Sequence, residues 1–349
     1  MTIKKEEPKF IVSKEIVFKQ LELLKTVASE VSYSWKTNPY IGEILNENES
    51  CFMSVHSISE LNQIKHKNKI WFFLMATSEE ILKELINKYN LRNFVVDNLE
   101  DLEILINFIE RNNIKINLLL RMKLRENTLF TGKHYVFGMH VKEIKEQIDL
   151  LSDNINIGKL GVHFHRKTQN VSEWNLKNEV FESLGEEYLS KIQLINIGGG
   201  LPGNYVNIHD RAIENIFIKI KELKELASKY NIEIIAEPGR FIASPAVKLE
   251  SNIIRVHDNT IFLDVSVFNG MLDTIVANVK LHVEGELEKG DRYLLKGCTP
   301  DSCDILRYNV YLDKPKMGDK ITFLNCGAYT YTTDFCALDK IKIEIVEKF

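Results

Sequence analysis

The hydrophobic residues in the first two-thirds of the chain follow two alternating patterns. Runs of β-branched and aromatic residues predict buried strands at residues 31–35, 50–55, 70–74, 94–96, 116–121, 159–164, 194–197 and 233–236. Between most of these runs, apolar residues recur with the period of an amphipathic helix, for example at residues 78–89 and 99–111. Eight strands that alternate with helices predict an α/β fold, a parallel TIM-type (β/α)8 barrel, rather than a β-sandwich.

The pattern changes after Pro245, where helical periodicity nearly disappears. Strand-like runs follow one another at residues 246–256, 260–265, 292–296, 320–324 and 341–346. We therefore expect a barrel over residues 13–245 and a second, all-β C-terminal domain over residues 246–349. A short strand at residues 8–12 could join the second domain.

Composition narrows the class of protein. Hydrophobic residues make up 44% and charged residues 27% of the 349 positions, which is ordinary for a globular enzyme. The net charge of -4 comes without a basic block, so nucleic acid is not an expected partner. No apolar run approaches the roughly 20 residues of a membrane span, and the first ten residues do not form a signal peptide. Five scattered cysteines favour a reducing compartment, so we expect a cytoplasmic protein.

Residues at the ends of the predicted barrel strands are the candidates for catalysis, because parallel barrels place catalytic groups there. Lys36 ends the first strand, where a desolvated amine can form an imine, although a surface lysine is the more common interpretation. His163 and His165 end the sixth strand. An imidazole at the rim could stack on an aromatic cofactor, whereas a hydrogen-bonded core residue is the favoured interpretation for His163. Thr168 follows them and could bond a phosphate oxygen.

Two further segments predict anion binding. Gly198, Gly199 and Gly200 follow a strand and leave backbone N–H groups free to approach a phosphate, although a flexible turn would also use them. The last barrel strand ends in Glu-Pro-Gly-Arg at residues 237–240, a sequence that is also common in surface turns. There Glu237 could keep a pyridine nitrogen protonated, and Gly239 and Arg240 could bind phosphate.

The second domain brings two cysteines and two acids together in residues 298–304. A Cys-x4-Cys pair without a second Cys/His pair lacks the spacing of zinc ligands, so no metal site is expected.

In order along the chain, these motifs resemble those of the fold-type III pyridoxal-phosphate (PLP)-dependent decarboxylases, the ornithine/diaminopimelate decarboxylase family. The similarity runs from about residue 10 to residue 335, nearly the whole chain. Its seven motifs are residues 33–38 (YSWKTN), 95–98 (VVDN), 161–165 (GVHFH), 198–203 (GGGLPG), 237–240 (EPGR), 301–304 (DSCD) and 327–330 (GAYT).

The resemblance implies PLP-dependent decarboxylation of an amino acid by a homodimer whose active sites are shared between chains. By motif position, Lys36 carries the cofactor as a Schiff base, His165 stacks on the pyridine ring and Glu237 pairs with the ring nitrogen. The implied phosphate contacts are Thr168, Gly199, Gly200, Gly239, Arg240 and Tyr329.

The resemblance also implies the substrate. Asp301 of the partner chain matches the family's ligand for a substrate amine, and Arg121 lies where the family places an arginine near the active site. The expected substrate is therefore a basic amino acid such as ornithine, lysine or diaminopimelate, in amino-acid metabolism or polyamine biosynthesis. Asp273 could be a second specificity acid, although a solvated turn is at least as common at such a position.

Three departures from the family pattern bear on activity. Cysteine and proline have exchanged places, so that Cys298 is early and Pro300 occupies the slot of the cysteine that protonates the substrate carbon. Cys298 is the favoured replacement, with Cys303 or another acid as alternatives. Ser54 replaces an acid that is common after the second strand, and residues 335–337 read Phe-Cys-Ala instead of Phe-Asn-Gly.

Two rival functions remain open at the level of the sequence. An amino-acid racemase of the same barrel type would share Lys36, but racemases usually place an arginine at the ring nitrogen, where this chain has Glu237. A non-catalytic, decarboxylase-like regulator would fit the exchanged cysteine and Ser54.

Overall fold

Eight parallel strands close into a barrel, which confirms the predicted TIM-type architecture. The computed structural model describes residues 6–124, 137–166, 174–208, 211–330 and 332–349. The strands in chain order are β1 (Lys9–Ser13), β2 (Glu30–Ser34), β3 (Phe52–Val55), β4 (Ile70–Leu74), β5 (Asn93–Val96), β6 (Ile116–Arg121), β7 (Ile157–His163), β8 (Leu194–Asn196), β9 (Glu233–Ala236), β10 (Val247–His257), β11 (Thr260–Leu263), β12 (His282–Val283), β13 (Arg292–Lys296), β14 (Ile305–Tyr311), β15 (Lys320–Leu324) and β16 (Lys342–Val346). Strands β2 to β9 form the barrel, and β9 closes it by pairing with β2.

The described helices are α1 (Lys14–Lys25), α2 (Pro39–Glu47), α3 (Ile58–Gln63), α4 (Glu79–Lys83), α5 (Leu99–Arg111), α6 (Val141–Leu151), α7 (Leu176–Leu189), α8 (Ala212–Ser228), α9 (Arg240–Ala243) and α10 (Asp273–Val276). Helices α2 to α8 connect consecutive barrel strands. Short polar residues start several of them, because a side-chain oxygen can accept the unpaired N–H groups of a first turn. Asn38 caps α2, Ser57 caps α3, Ser78 caps α4 and Asn98 caps α5. None of the described helices is both long enough and apolar enough to cross a membrane.

The barrel interior is filled by large apolar side chains from alternate positions of its strands. Trp71 and Phe73 from β4 pack with residues from four other strands, which are Val95, Leu119, Leu194 and Ile235. Because successive strand side chains point to opposite faces, the same strands also cover the outside with apolar residues against the helices. This double burial explains why the barrel runs are almost continuously hydrophobic.

The second sheet has eight strands, most of them antiparallel. Six of them lie in the order β12-β15-β10-β11-β13-β14. Strand β1 pairs antiparallel with β10 and parallel with β16. The N-terminal strand is therefore a member of this sheet.

Two compact units can be recognised among the described residues. The described residues of the barrel unit lie within Leu21–Pro202 and Arg211–Gly239, and those of the second unit lie within Met1–Gln20, Gly203–Asp210 and Arg240–Phe349.

Strand β14 was not predicted from the sequence. Its run Ile-Leu-Arg-Tyr-Asn-Val-Tyr breaks the apolar alternation at Arg307 and Asn309. Arg307 is nevertheless buried, because its guanidinium pairs with both carboxylate oxygens of Glu286 at 2.8 and 2.9 Å. An ion pair formed across the fold hides a charged residue that the sequence pattern assigns to solvent.

Candidate active site

Glu237 is the centre of a buried hydrogen-bond network at the carboxyl ends of the barrel strands. It follows β9, and its side chain is only 7% exposed. Its Oε1 accepts hydrogen bonds from Ser54 Oγ and from Asn196 Nδ2, both at 2.9 Å. Its Oε2 lies 3.2 Å from His163 Nε2. These partners end β3, β8 and β7, so the parallel barrel itself gathers them around the carboxylate.

The network keeps Glu237 ionised. Burial alone would raise the pKa of its carboxyl group, but the charge and hydrogen bond of His163 and the hydrogen bonds of Asn196 and Ser54 outweigh burial and hold the pKa at about 2. Burial lowers the pKa of His163, and the positive charge of Arg121 acts in the same direction. Because an ionised carboxylate only accepts, the facing Nε2 of His163 carries a hydrogen and donates it to Glu237.

Aromatic rings fix the orientation of His163. The Phe73 ring meets the His163 ring edge-on, with 5.3 Å between the ring centroids. The His56 ring stacks on the same Phe73 ring, with 4.6 Å between centroids and 19° between the ring planes. His163 is 1% exposed, and its Nδ1 has no hydrogen-bond partner among the described residues.

The three consecutive glycines form a tight turn against His165. Gly198 and Gly200 have φ angles of +66° and +91°, which glycine adopts most easily. Gly199 N donates to His165 Nδ1 at 3.2 Å, and a Cβ at Gly199 would lie 3.0 Å from the same ring. Burial, with the charges of His163 and Arg121, lowers the pKa of His165 to about 3. His165 is therefore an uncharged, flat ring held beside a backbone that only glycine accommodates.

Lys36 lies in a short 3-10 helix, Trp35–Thr37, directly after β2. Its side chain is exposed, whereas Trp35 and Thr37 on either side are buried. The charge of Lys36 contributes to the lowered pKa values of His165 and Glu60. The amine therefore acts electrostatically on the same rim that holds Glu237.

Thr37 and Gly239 meet at this rim. A Cβ at position 239 would overlap Thr37 Oγ1, so the close approach requires glycine. Thr37 is 1% exposed, and its hydroxyl has no hydrogen-bond partner among the described residues. Arg121 ends β6 and places its guanidinium 5.0 Å from the Phe137 ring.

In the second unit, Arg240 and Asp273 form a two-point ion pair. Arg240 Nη2 donates to Asp273 Oδ1 at 3.0 Å, and Nη1 donates to Oδ2. Burial would lower the pKa of Arg240, but the hydrogen bonds and charges of Asp273 and Tyr205 outweigh it and raise the pKa. Tyr329 lies under the guanidinium, with its ring centroid 4.6 Å from Cζ. The carboxylate of Asp273, predicted as a specificity acid, is thus engaged by Arg240.

The segment with the exchanged cysteine is organised by Asp304. This buried carboxylate accepts from Val267 N at 2.9 Å and from the backbone and hydroxyl of Thr299 at 3.0 and 2.6 Å. Cys298 and Cys303 are exposed. Burial and the negative charge of Asp304 raise the pKa of the Cys298 thiol. Asp301 Oδ1 accepts from Cys303 N at 2.7 Å, which fixes the turn.

The segment that replaces Phe-Asn-Gly contains two residues with a left-handed backbone. Cys336 and Ala337 have φ angles of +55° and +50°. Asn and Gly tolerate this conformation better than Cys and Ala, so the departure carries backbone strain.

Within the barrel unit, the structure brings together Lys36, His165, Gly199, Gly200, Glu237 and Gly239 at the strand ends. Arg240, Asp273 and Tyr329 form a cluster of their own in the second unit, while Cys298 and Asp301 lie in the turn around Asp304. Thr168 lies outside the described residues. Asn196 and Ser32 were not among the predicted site residues. Each belongs to a predicted barrel strand, and Asn196 lies two residues before Gly198.

The residues of the barrel rim fit PLP. Thr37 Oγ1 and His163 Nδ1 are buried polar atoms without partners among the described residues, which polar groups of a ligand can satisfy. An ionised, buried carboxylate suits a protonated pyridine nitrogen. The prediction that the glycine run leaves its N–H groups free is wrong for Gly198 and Gly199, because they donate to Asn196 Oδ1 and His165 Nδ1.

Comparison with known proteins identifies the family. The pyridoxal-binding domain of the pyridoxal-dependent decarboxylases matches residues 14–244. A probable ornithine decarboxylase of Dictyostelium discoideum is 24% identical over 85% of this chain and 69% of its own length. Antizyme inhibitor 2 of Xenopus laevis is 24% identical over 70% of this chain and 59% of its own length.

A solved structure shows the same fold. Diaminopimelate decarboxylase from Helicobacter pylori, complexed with L-lysine, superposes with a TM-score of 0.82 at 18% identity and covers 99% of this chain and 92% of its own. Because the family match covers most of its length, this chain belongs to the fold-type III PLP-dependent decarboxylases, the ornithine/diaminopimelate decarboxylase family.

Proposed function

We propose that this protein binds PLP through Lys36 and decarboxylates a basic amino acid. The observation that carries the proposal is the buried, ionised Glu237, held by three donors at the rim where Lys36 also lies. Three donors leave one acceptor position on this ionised carboxylate, and a buried negative charge at a strand end suits a ligand that brings an N–H group or a positive charge. Family membership supports the same cofactor and reaction class.

Each rim residue has a distinct task in this proposal. When bound, PLP supplies an electron sink for the charge left on the substrate carbon after carbon dioxide leaves. Glu237 accepts the N–H of the pyridine ring and keeps that proton in place. His165, uncharged at neutral pH because its pKa is about 3, offers a flat face for stacking. Lys36 holds the cofactor covalently.

The proton returned to the substrate carbon requires an acid. Because burial and Asp304 raise its pKa, the Cys298 thiol is protonated at neutral pH and suits this task. Cys303 and another acid remain the alternatives. Phosphate binding by Thr168, Gly199, Gly200, Gly239, Arg240 and Tyr329 stays a prediction, as does substrate binding by Asp301, Arg121 and Asp273.

Covalent attachment is the direct test of the cofactor role. The full chain is incubated with PLP, trapped by borohydride reduction and digested, and we expect the mass of the adduct on Lys36. Lys36→Ala should lose the adduct and the visible absorbance band of the bound cofactor. The side chain of Lys142 is 88% exposed, so Lys142→Ala is the matched lysine control and should keep the adduct and the absorbance band. A wild-type protein that stays colourless with excess PLP would contradict the proposal.

The substrate is tested with a panel of L- and D-ornithine, lysine, diaminopimelate and larger carboxylated polyamines. Carbon dioxide release together with the product mass indicates a decarboxylase, whereas a change in optical rotation without carbon dioxide indicates the racemase. Because one relative is named an antizyme inhibitor, the regulator is the second candidate. Cofactor-loaded protein without turnover of any substrate would favour it.

A further inference from the structure

Two serines lie in line behind Glu237. Ser32 of β2 and Ser54 of β3 are 0% and 1% exposed, and their hydroxyl oxygens are 2.8 Å apart. Ser54 Oγ lies 2.9 Å from Glu237 Oε1. The side chains of Ser32, Ser54 and Glu237 therefore form a buried row of hydrogen bonds across the neighbouring strands β2, β3 and β9.

The direction of these hydrogen bonds follows from the number of hydrogens that each group can donate. A hydroxyl has a single hydrogen to donate, and an ionised carboxylate only accepts. Since Ser54 gives its hydrogen to Glu237, Ser32 must donate to Ser54. The order of donation is Ser32 to Ser54 to Glu237.

The remaining partners of Glu237 are also donors. Asn196 Nδ2 donates to the same Oε1, and Asn196 Oδ1 accepts from Gly198 N at 2.8 Å, which fixes its amide orientation. His163 occupies one side of Oε2. A carboxylate offers about four acceptor positions, so one on Oε2 remains for a further donor once the described partners are counted.

The charged groups around this cluster are two cations and one carboxylate, that of Glu60, which accepts from His56 N at 2.6 Å and lies 3.8 Å from His56 Nδ1. Arg121 from β6 and Lys36 after β2 are cations, and His56 and His165 follow β3 and β7. An acid at position 54 would place a second carboxylate within hydrogen-bond distance of Glu237. Two such groups cannot both ionise and must share a proton.

We propose that Ser54 is a positioning residue for Glu237, and that this site requires an uncharged donor at position 54 to keep Glu237 a lone carboxylate. What a lone Glu237 carboxylate does to the cofactor ring rests on the proposed function, whereas the charge of the cluster itself does not depend on that function. The single negative charge opposite the ring nitrogen is thus a property built into this chain by the serine pair.

The test compares Ser54→Asp with Ser54→Asn, which have the same shape and differ in charge. Urea unfolding of the full chain is measured without and with PLP between pH 5 and pH 8. In Ser54→Asp the shared proton raises the folded pKa above the unfolded value, so stability is present at low pH and is lost as the pH rises. We expect its unfolding constant, relative to Ser54→Asn, to increase with pH by up to about tenfold per unit. The ratio of wild type to Ser54→Asn should stay constant over this range.

Asn196→Asp is the second variant, should Ser54→Asp fail to fold. Its Oδ1 can still accept from Gly198 N, and its other oxygen faces Glu237, so wild type is its matched control. The same loss of stability with rising pH is expected. Parallel pH profiles for both charged variants and their controls would overturn the inference. Diverging profiles in a protein that binds no PLP would uphold it and refute the proposed function.

Discussion

Glu237 concentrates the electrostatics of the barrel rim in one side chain. Its carboxylate is nearly inaccessible to water, yet three donors keep its pKa at about 2. Because folding lowers the pKa, this group contributes stability that is fully present above the unfolded pKa of about 4.3 and is lost as the pH falls toward 2. The same donors that prepare the site for a cation therefore make the fold sensitive to acid.

Glu237→Gln should remove this acid sensitivity. The free energy of unfolding of wild type minus that of the variant is expected to decrease as the pH falls from 6 toward 3. The lowered pKa of Glu237 contributes about 3 kcal/mol in total, and this contribution is lost between pH 5 and pH 2. Urea unfolding of the cofactor-free chain at several pH values measures it. A difference that does not change with pH would mean that Glu237 titrates normally.

The loop between β4 and α4 is held by a residue of helix α5. Asp101 in the first turn of α5 is 4% exposed and accepts hydrogen bonds from Ala76 N at 2.9 Å and Thr77 N at 2.6 Å. Ala76 has a φ of +51°, a conformation that needs such support. Helix α5 thus holds the loop after β4, next to the strand that carries Phe73.

Asp101→Ala should destabilise the protein by about 2–3 kcal/mol, because two backbone N–H groups lose their acceptor. Glu103→Ala, on the exposed side of the same helix, is the control and should change stability by less than about 0.5 kcal/mol. Urea unfolding measures both, and hydrogen exchange at residues 75–78 locates the effect. Equal stability of the two variants would show that the loop does not depend on Asp101.

On the scale of the whole molecule, the resemblance predicts that two copies of the chain build each active site. Lys36 belongs to the barrel unit, whereas Asp301 belongs to the second unit and is assigned to the partner's site. A shared site can be repaired by mixing two chains that are defective in different parts.

Lys36→Ala and Asp301→Ala should each be inactive alone, and a refolded equal mixture should recover about one quarter of wild-type activity, since half of the dimers are mixed and each has one intact site. Lys36→Ala with His165→Ala is the control, because both defects lie in the barrel and no intact site can form. Recovery in the control, or none in the first mixture, would exclude sharing.

The strand runs allowed most of the barrel to be predicted. The bounds of β4, β6 and β9 agree with the sequence pattern, because a strand buried on both faces must be apolar along its length. Helix α5 agrees as well, whereas the segment after α4 continues as a π-helix over Glu84–Lys88 that periodicity does not distinguish. Strand β14 was missed because Arg307 is neutralised by a distant residue.

The sequence alone determined the fold class, the family and the strand ends that carry Lys36, His165 and Glu237, because these follow from local patterns and from the order of motifs. Only the tertiary structure decided what surrounds each of them. It joined Ser32, Ser54, Asn196 and His163 around Glu237 and paired Asp273 with Arg240. The physical reason is that charge states and hydrogen bonds depend on neighbours brought together by barrel closure, and no local pattern of residues encodes those distances.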